Sequence, residues 1–119
     1  PGSSLLNTAK GLEYSDNDPD FYRELLRLFT EEAPKSLERL SSALADNDLE
    51  LYTTLVHGLK NNARGIGADS AGELCFEAEQ TARAGNAAPL PELHLKIEQA
   101  ITKAAAEAAR LSEAEKITQ

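Results

Sequence analysis

The sequence predicts an all-α protein: an antiparallel up-and-down four-helix bundle with a short extra N-terminal helix. Three observations carry this. Apolar residues recur at steps of three and four in four long segments, the period that puts them on one face of a helix. No segment alternates with period two. The composition also favours helix over sheet, with many leucines and alanines, 5% aromatic residues and few β-branched residues outside the last quarter.

Taken in order, residues 1–4 (PGSS) are set aside as a cloning scar or a disordered end, and residues 5–11 form a short amphipathic piece. SDNDPD then breaks the chain, with acidic and amide caps and Pro19 suited to a first helical turn. The first long helix covers about 19–45, with Phe21, Leu25, Leu28, Phe29, Leu37, Leu40 and Leu44 on its apolar face. Pro34 should kink or divide it. DND at 46–48 ends this helix and caps the next, about 49–66, which Gly65 and Gly67 close. Gly67 can take the left-handed conformation common at a helix end. A third helix over about 70–84 carries Leu74, Ala78 and Ala82 inward and stops at AGN. After APLP the last helix covers about 91–114, with Leu93, Ile97, Ile101, Ala105, Ala108 and Leu111 in register. Short breaks between long amphipathic helices imply antiparallel neighbours, and the 119 residues suit one domain spanning 1–119.

Charge and cysteine content narrow the function. Twenty acidic and 12 basic side chains leave a formal charge of −8, which disfavours nucleic acid and anionic lipid as partners. The single cysteine, Cys75, cannot form an internal disulfide and fits a reducing, cytoplasmic setting. No apolar run reaches membrane-spanning length, and the N-terminus lacks a signal pattern. Nothing demands more than a monomer.

The segment LVHGLKNNARGIGA holds one of two histidines. With His57 at zero on a helical wheel, Leu51, Leu55, Leu59 and Ile66 fall within about 60° of the opposite side, flanked by Tyr52, Val56 and Ala63. Glu50, Thr53, Thr54, Lys60, Asn61 and Arg64 fall within about 60° of His57 itself. His57 is therefore expected on a polar stripe, which leaves an ordinary solvated histidine or a functional one. Lys60 and Arg64 make the stripe locally basic in an acidic chain, and Thr54 and Gly58 leave room beside the ring. Such a surface can hold a phosphoryl group on His57, its charge matched by Lys60, with a partner in close approach.

HGLKNNARGIGA resembles the signature of the histidine-containing phosphotransfer (HPt) domains of phosphorelays. That signature reads His-x-Leu-Lys-Gly/Ser, a short stretch with an alanine, then Gly-Ala. His57, Leu59, Lys60, Ala63, Gly67 and Ala68 match it without a gap. In ELCFEAEQTARAGN, Glu73, Leu74, Glu79 and Gly85 stand where the family places its EL…LE…AG pattern, and GLEYSDNDPDFYRELLRLF looks like its lead-in helix. The resemblance implies a phosphocarrier without kinase activity. His57 would be the phosphoacceptor, attacking through Nε2 while neutral, and Lys60 would stabilise the phosphoryl charge. Thr54, Gly58, Asn61, Arg64 and Gly67 would form the partner surface. The implied partners are response-regulator receiver domains or a hybrid sensor kinase; Mg²⁺ would sit on the receiver, and this chain would bind no cofactor. The alternative is a helical docking module that binds a receiver or kinase without transfer. Asn61 departs from the family pattern, where glycine or serine is usual. It would narrow partner choice or give the phosphoryl group another donor.

The remaining features read as structural. His94 lacks the motif context, since Lys96 points to another face. DNDPD lacks the glycine and the bidentate glutamate of a calcium loop, Cys75 reads as a small packed residue, and His57, Cys75 and His94 have no metal-ligand spacing. The sequence has no glycine-rich phosphate loop.

Overall fold

A computed structural model describes residues 5–114; the expectation for residues 1–4 lies outside them. The described residues form five helices: α1 (Thr8–Tyr14), α2 (Pro19–Ala45), α3 (Leu49–Gly65), α4 (Asp69–Arg83) and α5 (Leu90–Ser112). The four long helices form the bundle. α3 packs most extensively on α4 and α2 on α5, and the α2–α3 and α4–α5 contacts close the ring. The molecule is elongated along the helices, 43 × 23 × 22 Å.

The boundaries follow local chemistry. Asp18 caps α2 by accepting from the Asp20 and Phe21 backbone N–H groups, and Pro19, whose fixed φ suits a first turn, follows it. Asn47 turns the chain with a left-handed φ of 53°, and the Asp48 side chain accepts from Leu51 N. Gly67, at φ 88°, makes the α3–α4 corner. Its conformation and space both exclude a side chain, because a Cβ there would lie 2.2 Å from the Asn7 carbonyl oxygen.

Four expectations are corrected. The first helix begins at Thr8 because Asn7 caps it, accepting from Lys10 N, and it continues to Tyr14 rather than stopping at residue 11. Pro34 does not divide α2. It is exposed, while Ala33 and Leu40 on either side of it are buried, so packing holds the helix continuous through the lost hydrogen bond. The apolar face of α2 is also rotated from the expected one. Phe21 and Leu28 are exposed, and Tyr22, Leu26, Phe29, Ala33, Leu40 and Ala43 form the core. Tyr22 can be buried because its hydroxyl donates to the Ile66 carbonyl at 2.8 Å, satisfying its polar end.

The same rotation occurs in α3, where it matters for function. Tyr52, Val56, Leu59 and Ala63 are buried, whereas Leu51 is exposed and Leu55 only partly covered. The inward arc is thus displaced from the Leu51–Leu55 side toward Lys60, which is only 8% exposed. His57 consequently stands at the edge of the interface with α4.

Candidate functional site

His57 lies mid-way along α3 with half of its side chain exposed, at 50%. Its two ring nitrogens meet different surroundings. Nδ1 points toward α4 and lies 2.7 Å from Glu79 Oε2. Nε2 lies on the exposed side, 3.3 Å from the Asn61 side-chain nitrogen one turn along the helix.

Glu79 is the centre of the site. Its side chain is only 2% exposed, yet it takes three partners: Lys60 Nζ donates to Oε1 at 2.7 Å, while His57 and Arg83 both reach Oε2, Arg83 at 2.9 Å. Burial by itself would raise the Glu79 carboxyl. The hydrogen bonds and charges of Lys60 and His57 overcome it and hold the group down at about 2. The carboxylate is therefore ionised at neutral pH and can only accept hydrogen bonds. Opposite Glu79 the proton of a neutral His57 must sit on Nδ1, which leaves the Nε2 lone pair facing out.

The other residues expected at the site divide into groups. Thr54, His57, Gly58 and Asn61 share the exposed side of α3. The Thr54 hydroxyl bonds back to the Glu50 carbonyl at 3.3 Å, and a Cβ on Gly58 would meet nothing within 4 Å. Lys60, expected on the same exposed stripe, is instead folded inward onto Glu79, with its Nζ 5.5 Å from the centre of the Phe76 ring. Arg64 reaches toward α4, 3.6 Å from Glu73, with its guanidinium carbon 5.6 Å from the centre of the Phe76 ring. Gly67 is not on this surface at all; it is buried beneath the N-terminal segment, its carbonyl accepting from Asn7 N at 2.9 Å.

Glu79 and Arg83 are the site residues that helix-wheel reasoning missed. A signal for Glu79 was present. It falls in register with Cys75 and Ala82 on the inward face of α4, and an acid on a buried face requires a charged partner.

The second histidine is built differently. His94 on α5 is 6% exposed. Both of its ring nitrogens are taken by hydroxyls, Nε2 by Ser41 at 2.9 Å and Nδ1 by Tyr52 at 3.1 Å. Glu98 lies 3.6 Å from Nε2. Cys75 is fully buried, and burial pushes its thiol up to about 12, which removes it as a nucleophile. Among the described residues, no group of three or more His, Cys, Asp or Glu is placed to hold a metal ion, and no helix is long and apolar enough to cross a membrane.

Comparison with known proteins places the chain in a family. A search of curated proteins finds no match. Two solved structures align over nearly the whole chain. The HPt domain of a hybrid histidine kinase from Shewanella is 21% identical, covering 94% of this chain and 97% of that one with a TM-score of 0.84. The histidine-containing phosphotransfer protein B of Pseudomonas aeruginosa is 22% identical, covering 93% and 96%, also with a TM-score of 0.84. These likenesses establish the fold. The family model for the Hpt domain matches residues 24–110, a span that contains His57, Lys60 and Glu79. The chain therefore belongs to the Hpt domain family.

Proposed function

We propose that this chain is a phosphocarrier of a two-component phosphorelay that takes a phosphoryl group onto Nε2 of His57 from the aspartyl phosphate of a receiver domain and passes it to another receiver aspartate. The observation that carries this reading is the Glu79–His57 hydrogen bond at 2.7 Å, which commits the proton to Nδ1 and turns Nε2 outward as a nucleophile.

In the transfer step the Nε2 lone pair attacks phosphorus. The bond from phosphorus to the receiver carboxylate oxygen breaks, and its electron pair stays on the aspartate. The imidazole gains positive charge as Nε2 becomes bonded, and the Glu79 carboxylate, already facing Nδ1–H, stabilises that charge in place. Lys60 acts through Glu79 as a positioning residue: buried and paired at 2.7 Å, it keeps the carboxylate ionised and aimed. Arg83 lies more than half exposed on the same Oε2 and supplies a cation at the rim of the site. In this reading the Mg²⁺ of the transfer is carried by the receiver, where it would neutralise phosphoryl oxygens. No kinase activity is assigned to the chain.

The partner surface is the exposed side of α3 together with the groove it makes with α2. Leu25, Leu28, Phe29, Leu59, Asn61 and Gly65 line this groove, about 430 Å³ in volume, and through Asn61 it adjoins His57. Gly58, mid-helix with open space around it, gives a receiver close access to the ring. A monomer working in the cytoplasm suffices for this role, and the formal charge of −8 disfavours nucleic acid as a partner.

The test uses a receiver charged with acetyl phosphate and Mg²⁺. The wild type is expected to take up an acid-labile, base-stable label, and His57→Gln none, with an unchanged melting temperature. Full transfer by His57→Gln overturns the reading.

A further inference from the structure

Asn61 occupies the position where the family usually carries glycine or serine, and its amide sits directly on the reacting atom. Because the ionised Glu79 fixes the proton on Nδ1, Nε2 has only a lone pair to offer. The contact at 3.3 Å is then donation from the Asn61 amide to that lone pair. Among the described residues this is the hydrogen bond the structure gives the Asn61 side chain, and no buried partner holds it there. The expected phosphate-binding cation, Lys60, is turned away onto Glu79. The side-chain donor that meets the exposed nitrogen is therefore a neutral amide.

We propose that Asn61 is a phosphohistidine-retaining residue: its amide covers Nε2 in the resting domain and moves onto a phosphoryl oxygen once His57 is loaded, so that the chain stores the phosphoryl group. The proposal rests on His57 being the phosphoacceptor. After the Nε2–P bond forms, Nε2 has no lone pair and can no longer accept. The amide is left beside an anionic oxygen instead, and a hydrogen bond to a charged acceptor is about twice as strong as a neutral one. Loss of the phosphoryl group passes through a loose, metaphosphate-like transition state. The N–P bonding pair returns to the ring there, so the oxygens bear less negative charge than in the phosphohistidine. A donor on those oxygens stabilises the loaded state more than the transition state and slows its breakdown. The same amide slows loading, because its bond to the lone pair must break before attack.

The test compares wild type with Asn61→Ala and Asn61→Gly, each loaded chemically with phosphoramidate, freed of reagent, and followed at neutral pH by ³¹P NMR. The half-life of the phosphohistidine is expected to fall about fivefold in both variants, which corresponds to about 1 kcal/mol, while loading becomes faster. Equal half-lives overturn the proposal. So does a longer half-life in the variants, which would mean that the amide assists the departing nitrogen. In the unloaded protein the ¹⁵N shift of Nε2 should move on Asn61→Ala, a change that a purely structural role would not produce, and an unmoved shift counts against the proposal. Loading by phosphoramidate without loading by a charged receiver would remove the relay function yet leave the half-life comparison to judge Asn61. A wild-type chain that neither reagent loads on His57 overturns both.

Discussion

The two histidines of this chain make a natural contrast. His94 is enclosed between α2, α3 and α5, and hydroxyls of Ser41 and Tyr52 take both of its nitrogens; the Tyr52 ring meets its own edge-on at 5.9 Å. Every hydrogen-bonding position of that ring is used inside the protein, so it serves the fold. His57 is anchored at Nδ1 to a buried carboxylate, while Nε2 stands at the surface, met by the side-chain amide of the exposed Asn61 rather than by a buried group. A reactive imidazole needs both conditions at once: an anchor that chooses the tautomer, and an open nitrogen that a partner can reach. The rotation of α3 that buries Lys60 and leaves Leu51 exposed brings His57 to the boundary where both are met.

The largest effect is expected from cutting the anchor of His57. Glu79→Ala leaves Lys60 buried without its partner and should cost about 3–5 kcal/mol of stability, measured by urea unfolding, as well as slowing transfer. Glu79→Gln nearly preserves shape and separates the two effects: transfer should fall by well over tenfold with a smaller stability loss. Transfer by Glu79→Gln at the wild-type rate would show that the anchor is only structural. The same carboxylate gives a pH signature. Its folded value, about 2, lies below the ordinary 4.5, so its contribution is complete above about pH 4.5 and disappears as pH falls through 2. The stability of wild type should therefore drop more steeply between pH 5 and 2 than that of Glu79→Gln.

Cutting the other histidine should have the opposite profile. His94→Phe fills the space but leaves the Ser41 and Tyr52 hydroxyls without their partner, at a cost of about 1–3 kcal/mol. Its transfer rate should stay near wild type at a temperature where it is folded. A large loss of transfer with intact folding would join the two regions and erase the distinction between them.

The smallest expected effect has the most informative sign. Gly58 lies inside a helix with nothing near its missing Cβ, so Gly58→Ala should stabilise the fold by about 0.5–1 kcal/mol. If the open space serves a docking partner, the same variant should transfer more slowly. A variant that is more stable and equally fast would leave Gly58 without a role at the surface.

Much of the fold was legible because the chain punctuates its helices with local chemistry. Asp18–Pro19, Asn47–Asp48 and Gly67 act within a few residues of themselves, and the helix ends fall within a residue or two of where those signals put them. Helix phase was less legible. In α2 and α3, apolar residues lie on both sides of the true inward direction, and periodicity alone could not choose Tyr22 and Leu26 over Phe21 and Leu28. That choice depends on partners distant in sequence, such as the Ile66 carbonyl that receives the Tyr22 hydroxyl. The candidate site shows the same division. The exposure of His57 could be read from its own helix, but its tautomer is set by Glu79 on α4, and Lys60 read as an exposed cation for the phosphoryl group because the acid that draws it inward lies on another helix.

The proposed chemistry takes place at one atom, Nε2 of His57, and locating the phosphate tests this most directly. Wild-type protein uniformly labelled with ¹⁵N would be charged by a phosphorylated receiver, and the imidazole nitrogens followed by two-bond ¹H–¹⁵N correlation. The expected spectrum shows the unloaded His57 protonated at Nδ1, and after charging a phosphoryl group on Nε2 of His57, with the His94 signals unchanged. Phosphate on Nδ1, on His94, or on no histidine would contradict it.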